Sequence, residues 1–220
     1  MNFLSKRLNF GNTTIGKLIG FIVDAIVIII IAVAASMLVK TFLIRSFYIP
    51  SESMSPTLEV NDNILVNRLQ PSFMPIQQGD IIVFKDSQNW MDLPPVKQHP
   101  TLLETLSSFI MLSEPSDNKY LIKRVIGLPG QTVACCDAEG NLTVNGKSLN
   151  EKYLPKTTAP SEIEFSVEVP KGKVWVMGDN RSNSSDSRYH QDVNGGFINY
   201  EDIIGKAFIR TLPFNKMSGL

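Results

Sequence analysis

Cysteine is nearly absent from this chain, and the two that occur, Cys135 and Cys136, are neighbours. Histidine is as scarce: His99 and His190 stand far apart, so neither type offers the clustered spacing of a zinc or iron site, and no metal or other cofactor is expected. Adjacent cysteines form either a vicinal disulfide or two separate thiols; the sequence leaves this open, although an extracytoplasmic location would permit oxidation. Charge of one sign is also lacking. Lys plus Arg number 21 and Asp plus Glu 21, so no cationic excess is available to neutralise phosphates, and nucleic acid is not an expected partner. There is no internal repeat, and long apolar runs are missing everywhere but in one place.

That place is Leu18 to Val39, LIGFIVDAIVIIIIAVAASMLV, which as a helix would extend about 33 Å and cross a bilayer. A cleaved secretory signal is the rival, because Lys6, Arg7 and Lys17 precede the run and Ala32-Val33-Ala34 resembles a cleavage site. Apolar character continues past that site through Phe42, Leu43 and Ile44, as in an anchor. The expected layout is a cytoplasmic segment 1–17, a transmembrane helix 18–39 and an extracytoplasmic domain 40–220. The protein would then be single-pass in the cytoplasmic membrane, N-terminus inside, with lipid as a partner. The positive-inside bias for that orientation is slight, since Lys40 and Arg45 follow the run closely. Asp24 inside the run is either a functional or paired charge, or a side chain that snorkels from near the cytoplasmic end.

Beyond Tyr48 the pattern changes to short strand-like runs: Asn63–Val66, Asp80–Phe84, Tyr120–Ile126, Asn141–Val144, Val174–Met177 and Lys206–Thr211. Turn signals such as Pro129-Gly130 and Asn145-Gly146 separate them. The expected fold is mainly β, an antiparallel sheet or barrel of catalytic-domain size on a single N-terminal helix. An insertion at about 86–118 interrupts the rhythm. It contains a predicted helix with Leu102, Leu103, Leu106, Phe109 and Ile110 on one face, which would cover the core or, with Trp90 and Met91, rest on lipid.

Three segments carry candidate chemistry. Pro50-Ser51-Glu52-Ser53-Met54-Ser55-Pro56-Thr57 places hydroxyls just after the apolar run, but serine at its own pKa is a weak nucleophile and needs a base. Tyr120 to Gly130 supplies Lys123, which strand alternation puts on the face of Leu121 and Val125, opposite Arg124, Ile122 and Ile126. A lysine desolvated among apolar side chains titrates low enough to accept a proton; one that snorkels from a strand edge does not. Met177 to Arg188 is a polar loop whose Asp179, Arg181, Asp186 and Arg188 could form ion pairs that hold it.

Taken in order, S-x-S-M-x-P-T, K-R-V-I-G-L-P-G and G-D-N-R-x-N-S-x-D-S-R resemble the type I signal peptidases, or leader peptidases, which are membrane-anchored serine proteases with a serine–lysine dyad. The resemblance runs from Phe47 to Arg210 and includes Gly79 to Phe84 and Gly195-Gly196-Phe197. It implies Ser53 as nucleophile and Lys123 as general base. Ser51 and the Ser53 N–H would form the oxyanion hole, Ser184 would orient the lysine, and Asp179, Asp186 and Arg188 would support the loop. The apolar residues Ile49, Pro50, Met54, Leu58 and Ile122 are expected to line pockets for small side chains of secretory preproteins, bound as an extended strand. Where the family often has glycine between the two serines this chain has Glu52. The insertion and the Cys135-Cys136-Asp137 turn resemble the actinobacterial branch. Two other readings are a self-cleaving serine–lysine protease of the repressor type, which would need no membrane span, and a tethered β domain that binds peptides or assembles a complex without catalysis.

Overall fold

In the computed structural model of this protein residues 14–91 and 120–220 are described, residues 38–41 for their backbone only. The expected insertion helix, with Leu102, Leu103, Leu106, Phe109 and Ile110, lies outside the described residues, as does the start of the N-terminal segment. The chain divides into two units, residues 1–43 and 44–220.

The first unit contributes one helix, α1 (Thr14–Phe42), of which Thr14–Met37 is long and apolar enough to cross a membrane. Isoleucine and valine dominate it. β-branched residues are indifferent helix formers in water, but in hydrocarbon a helix is the form in which one segment bonds all its own backbone groups. Most of its apolar side chains, among them Phe21, Ile28 and Ile31, are exposed along its length. It outruns the expected 18–39 at both ends, and its single acidic residue, Asp24, lies in its N-terminal half.

The second unit is mainly β, as expected, and is built from two antiparallel sheets. The strands are β1 (Ile44–Tyr48), β2 (Asn63–Asn67), β3 (Ile81–Lys85), β4 (Tyr120–Gly127), β5 (Thr132–Cys135), β6 (Leu142–Val144), β7 (Lys147–Ser148), β8 (Phe165–Glu168), β9 (Lys173–Met177), β10 (Ile198–Asn199), β11 (Ile203–Leu212) and β12 (Ser218–Gly219). The larger sheet runs β1-β2-β11-β3-β4-β9-β10, with β12 on β11; the smaller runs β7-β6-β5-β8. All six strand-like runs become strands. Six strands lie outside them: β1, β5 and β8 are four or five residues long and mixed in polarity, with serine, arginine, cysteine or glutamate among their residues, and β7, β10 and β12 are two residues long.

Burial on both faces distinguishes the strands that hold the site. On β2 only Ile64 and Val66 are buried, the alternation of a one-sided strand. On β3, Ile82 and Phe84 join one apolar cluster with Leu121 and Val125, while Ile81 and Val83 join another with Ile49, Met54 and Ile122. β4 is buried from Leu121 to Gly127. A third cluster, with Ile126, Trp175 and Met177 against Val133, Leu142 and Phe165, joins the two sheets. Fully burying one such aliphatic side chain is worth roughly 1.5–3 kcal/mol, so β4 is held from both sides and its side chains have little freedom. Trp90 also belongs to this interior, edge-on to Phe84 at 5.9 Å, rather than to a lipid-facing surface. The two cysteines are joined as a vicinal disulfide at the end of β5.

Candidate active site

Ser53 lies in the turn that follows β1. Ile49 N–H donates to Asp62 O at 2.9 Å and Asn61 N–H to Ile49 O at 3.0 Å, closing residues 49–62 into a loop. Within it Ser55 N–H donates to Glu52 O and Leu58 N–H to Met54 O, so the chain coils directly after the serines. The Ser53 carbonyl accepts from Asn180 N–H at 3.1 Å. Its hydroxyl is 3.4 Å from that of Ser51, and among the described residues its N–H makes no hydrogen bond.

Lys123 is paired with Ile82 across β3 and β4 and is 3% exposed. Its Nζ donates to Ser53 Oγ at 2.9 Å. No carboxylate among the described residues forms an ion pair with it. Burial drives its pKa from the ordinary 10.5 down to about 8; Asp186 and Asp179 pull it back up and Arg188 pushes it further down. The snorkelling alternative is thereby removed: the amine is inside, and near neutrality a useful fraction of it is unprotonated.

The loop after β9 packs over this pair. Ser187 Oγ accepts from Val176 N–H and Asp186 Oδ2 from Gly178 N–H, both at 2.9 Å, which folds the loop back on the strand that leads into it. Asp186 holds Arg188 with two bonds at 2.9 Å, and Arg188 also donates to Arg181 O. Asp179 meets Arg124 at 2.8 and 2.6 Å and accepts from Thr57 Oγ at 2.5 Å. Arg181 pairs with Glu151. Such fork-to-fork contacts are the strong, directional kind of hydrogen bond. At Gly178 a Cβ would overlap both Ser184 Oγ and the Ser53 carbonyl oxygen, so glycine is what lets the loop lie against the Ser53 turn.

A cavity of about 520 Å³ opens onto Ser53 and Lys123 between residues 45–53 and the start of β4. Ile49, Pro50, Ser51, Ser53, Ile122 and Lys123 all line it. Met54 and Leu58 do not: both are fully buried among Ile49, Ile64 and Val66. The turn bond from Leu58 to Met54 puts these two on one side, facing the core. Ser184 lies beside Gly178, buried, but its hydroxyl has no hydrogen-bond partner among the described residues, so the expected bond to Lys123 is not made. Val83, Tyr120 and Leu121 line the cavity instead. At its rim Ser185 Oγ lies 2.7 Å from His190 Nε2, and the His190 ring stacks on Trp90 at 4.6 Å. Among the described residues no three metal-ligating side chains gather.

Reasoning from the sequence did not reach Arg124, Thr57, Glu151 or the role of Gly178. Arg124–Asp179 and Arg181–Glu151 join residues 55 and 30 positions apart, and no local pattern marks such partners. The alternating Asp and Arg of the loop were the only available signal.

Residues 22–212 match the family described as signal peptidase, peptidase S26. The chain is 36% identical over 225 residues to a probable signal peptidase I of Mycobacterium leprae, covering 88% of this chain and 77% of that protein. It is 39% identical over 211 residues to signal peptidase I of Mycobacterium tuberculosis, covering 85% and 71%. Among solved structures, the crystal structure of a signal peptidase I from Enterococcus faecalis matches with 28% identity and a TM-score of 0.37 over 60% of this chain and 95% of that one.

Proposed function

Since this chain belongs to the signal peptidase family, peptidase S26, we propose that Ser53 and Lys123 are the nucleophile and general base with which it cuts signal peptides from secretory preproteins. It is a serine endopeptidase of the signal peptidase I type. The observation that carries the residue assignment is the 2.9 Å contact between a hydroxyl and an amine that burial has made a usable base.

In the reaction, neutral Lys123 accepts the Ser53 proton as Oγ attacks the carbonyl of the residue before the scissile bond. The Ser53 N–H and the Ser51 hydroxyl, which lies 3.4 Å from the Ser53 hydroxyl, take the developing oxyanion. Lys123 returns the proton to the leaving amine, leaving an acyl-enzyme. It then deprotonates the water that hydrolyses the ester, so one base serves both steps. Ser184, whose hydroxyl has no partner of its own, turns toward Nζ once substrate fills the cleft and fixes the amine. Asp179, Asp186 and Arg188 keep the loop in place. Ile49, Pro50 and Ile122 shape the shallow subsites, which suit small side chains of the A-x-A kind. Helix α1 anchors the enzyme in the cytoplasmic membrane, N-terminus inside, with residues 44–220 on the extracytoplasmic face where signal peptides emerge.

The test is cleavage of a preprotein with an A-x-A site by the purified full chain in detergent. Wild type releases the mature form, Ser53→Ala does not, and Ser51→Ala turns over about 10²- to 10³-fold more slowly. Equal cleavage by wild type and Ser53→Ala overturns the assignment.

A further inference from the structure

Glu52 has no part in the mechanism above, yet it stands between its two serines. Its side chain is exposed and lines the cleft. The main chain at this point is tied down: Glu52 O accepts from Ser55 N–H at 3.0 Å and from Asn180 Nδ2 at 3.1 Å. The carboxylate is far less engaged. It accepts one long bond, 3.4 Å, from Asn183 Nδ2, and among the described residues it forms no ion pair.

The other charges lining the cleft are Lys123 and Arg45. Lys123 is buried at its floor, and Arg45 lies over the Phe47 and Tyr120 rings, each 5.0 Å from the guanidinium carbon. Among the described residues Glu52 is thus the only acidic one that lines the cleft, and it does so one residue from Ser53. The Ser51 and Ser53 hydroxyls lie 3.4 Å apart, and the Glu52 carboxylate lies on the flank from which Asn183 donates.

We propose that Glu52 is a specificity-determining residue that favours a lysine or arginine in the substrate position on either side of the cleaved residue. A bound peptide fills the small subsites with alternate side chains, so its neighbouring side chains leave the cleft past this flank. There a cation meets a carboxylate held by its backbone and, among the described residues, without an ion-pair partner. The inference rests on the assignment of Ser53 as nucleophile.

The experiment uses the full chain in detergent and a set of peptides that share an A-x-A site. They carry lysine, glutamine or glutamate immediately before, or immediately after, the cleaved residue. At low ionic strength wild type is expected to give a kcat/KM about threefold to fivefold higher for lysine than for glutamate at one of the two positions, the size of an exposed ion pair. Added salt narrows the ratio. Glu52→Gln brings it close to one, and Glu52→Lys reverses it. A ratio that is the same in wild type and Glu52→Gln overturns the proposal, as does a uniform loss on all peptides, which would mark Glu52 as a structural tie to Asn183. Absence of cleavage of every peptide by wild type would count against the proposed function instead.

Discussion

Asp179, Asp186, Arg181 and Arg188, in the loop after β9, are each almost wholly buried, and each meets an opposite charge; Lys123 on β4 is buried as deeply and meets only a hydroxyl. The loop is rigid because its charges are satisfied: removing any one leaves a partner stranded away from water. Lysine 123 has no such guarantee. Its ammonium form is penalised by burial, and the penalty appears as a pKa of about 8 rather than as strain elsewhere. Paired burial holds geometry; unpaired burial lowers the pKa of the amine.

The sharpest way to break this contrast is Lys123→Met. Turnover is expected to fall on the order of 10⁴-fold, the upper range for loss of a general base. Stability at pH 7 is expected to stay level or rise, since below pH 8 the native state holds a buried ammonium; urea unfolding of the full chain beside activity assays checks both. Arg188→Met is the converse. It strands Asp186 and is expected to destabilise by about 3–5 kcal/mol, read as a lower urea midpoint.

The pH profile sharpens the same comparison. In the proposed mechanism Lys123 acts as the neutral amine, so kcat/KM is expected to rise about tenfold per pH unit and level off near pH 8. Because Asp186 raises that pKa, Asp186→Asn moves the midpoint down. A midpoint that does not move would mean the loop is electrically silent toward the base. The smallest effect belongs to Ser184→Ala. Its hydroxyl has no bond to lose in the free enzyme, so the unfolding midpoint stays put while kcat drops about fivefold, the worth of one neutral hydrogen bond.

Much of this was legible in the order of residues. The strands buried on both faces, Ile81–Lys85 and Tyr120–Gly127, announce themselves as apolar runs, and Lys123 is conspicuous within one of them. Met54 and Leu58 misled because distance along the chain stood in for direction in space; the turn after Ser53 sends both to the core. β1 was hidden by the apolar stretch before it. The partners Arg124, Thr57 and Glu151 were invisible for another reason: the fold brings them to the loop from remote strands and turns, and nothing in their own neighbourhoods records it.

One contact at the rim has a practical side. The chain has two tryptophans. Trp175 is sealed in the third apolar cluster, whereas Trp90 lies nearly parallel to the His190 ring, at 10°, and His190 bonds to Ser185 at the cleft. Imidazole stacked on indole alters its emission, so a peptide that moves Ser185 is expected to change the light from Trp90, which a fluorescence titration of the unlabelled full chain checks.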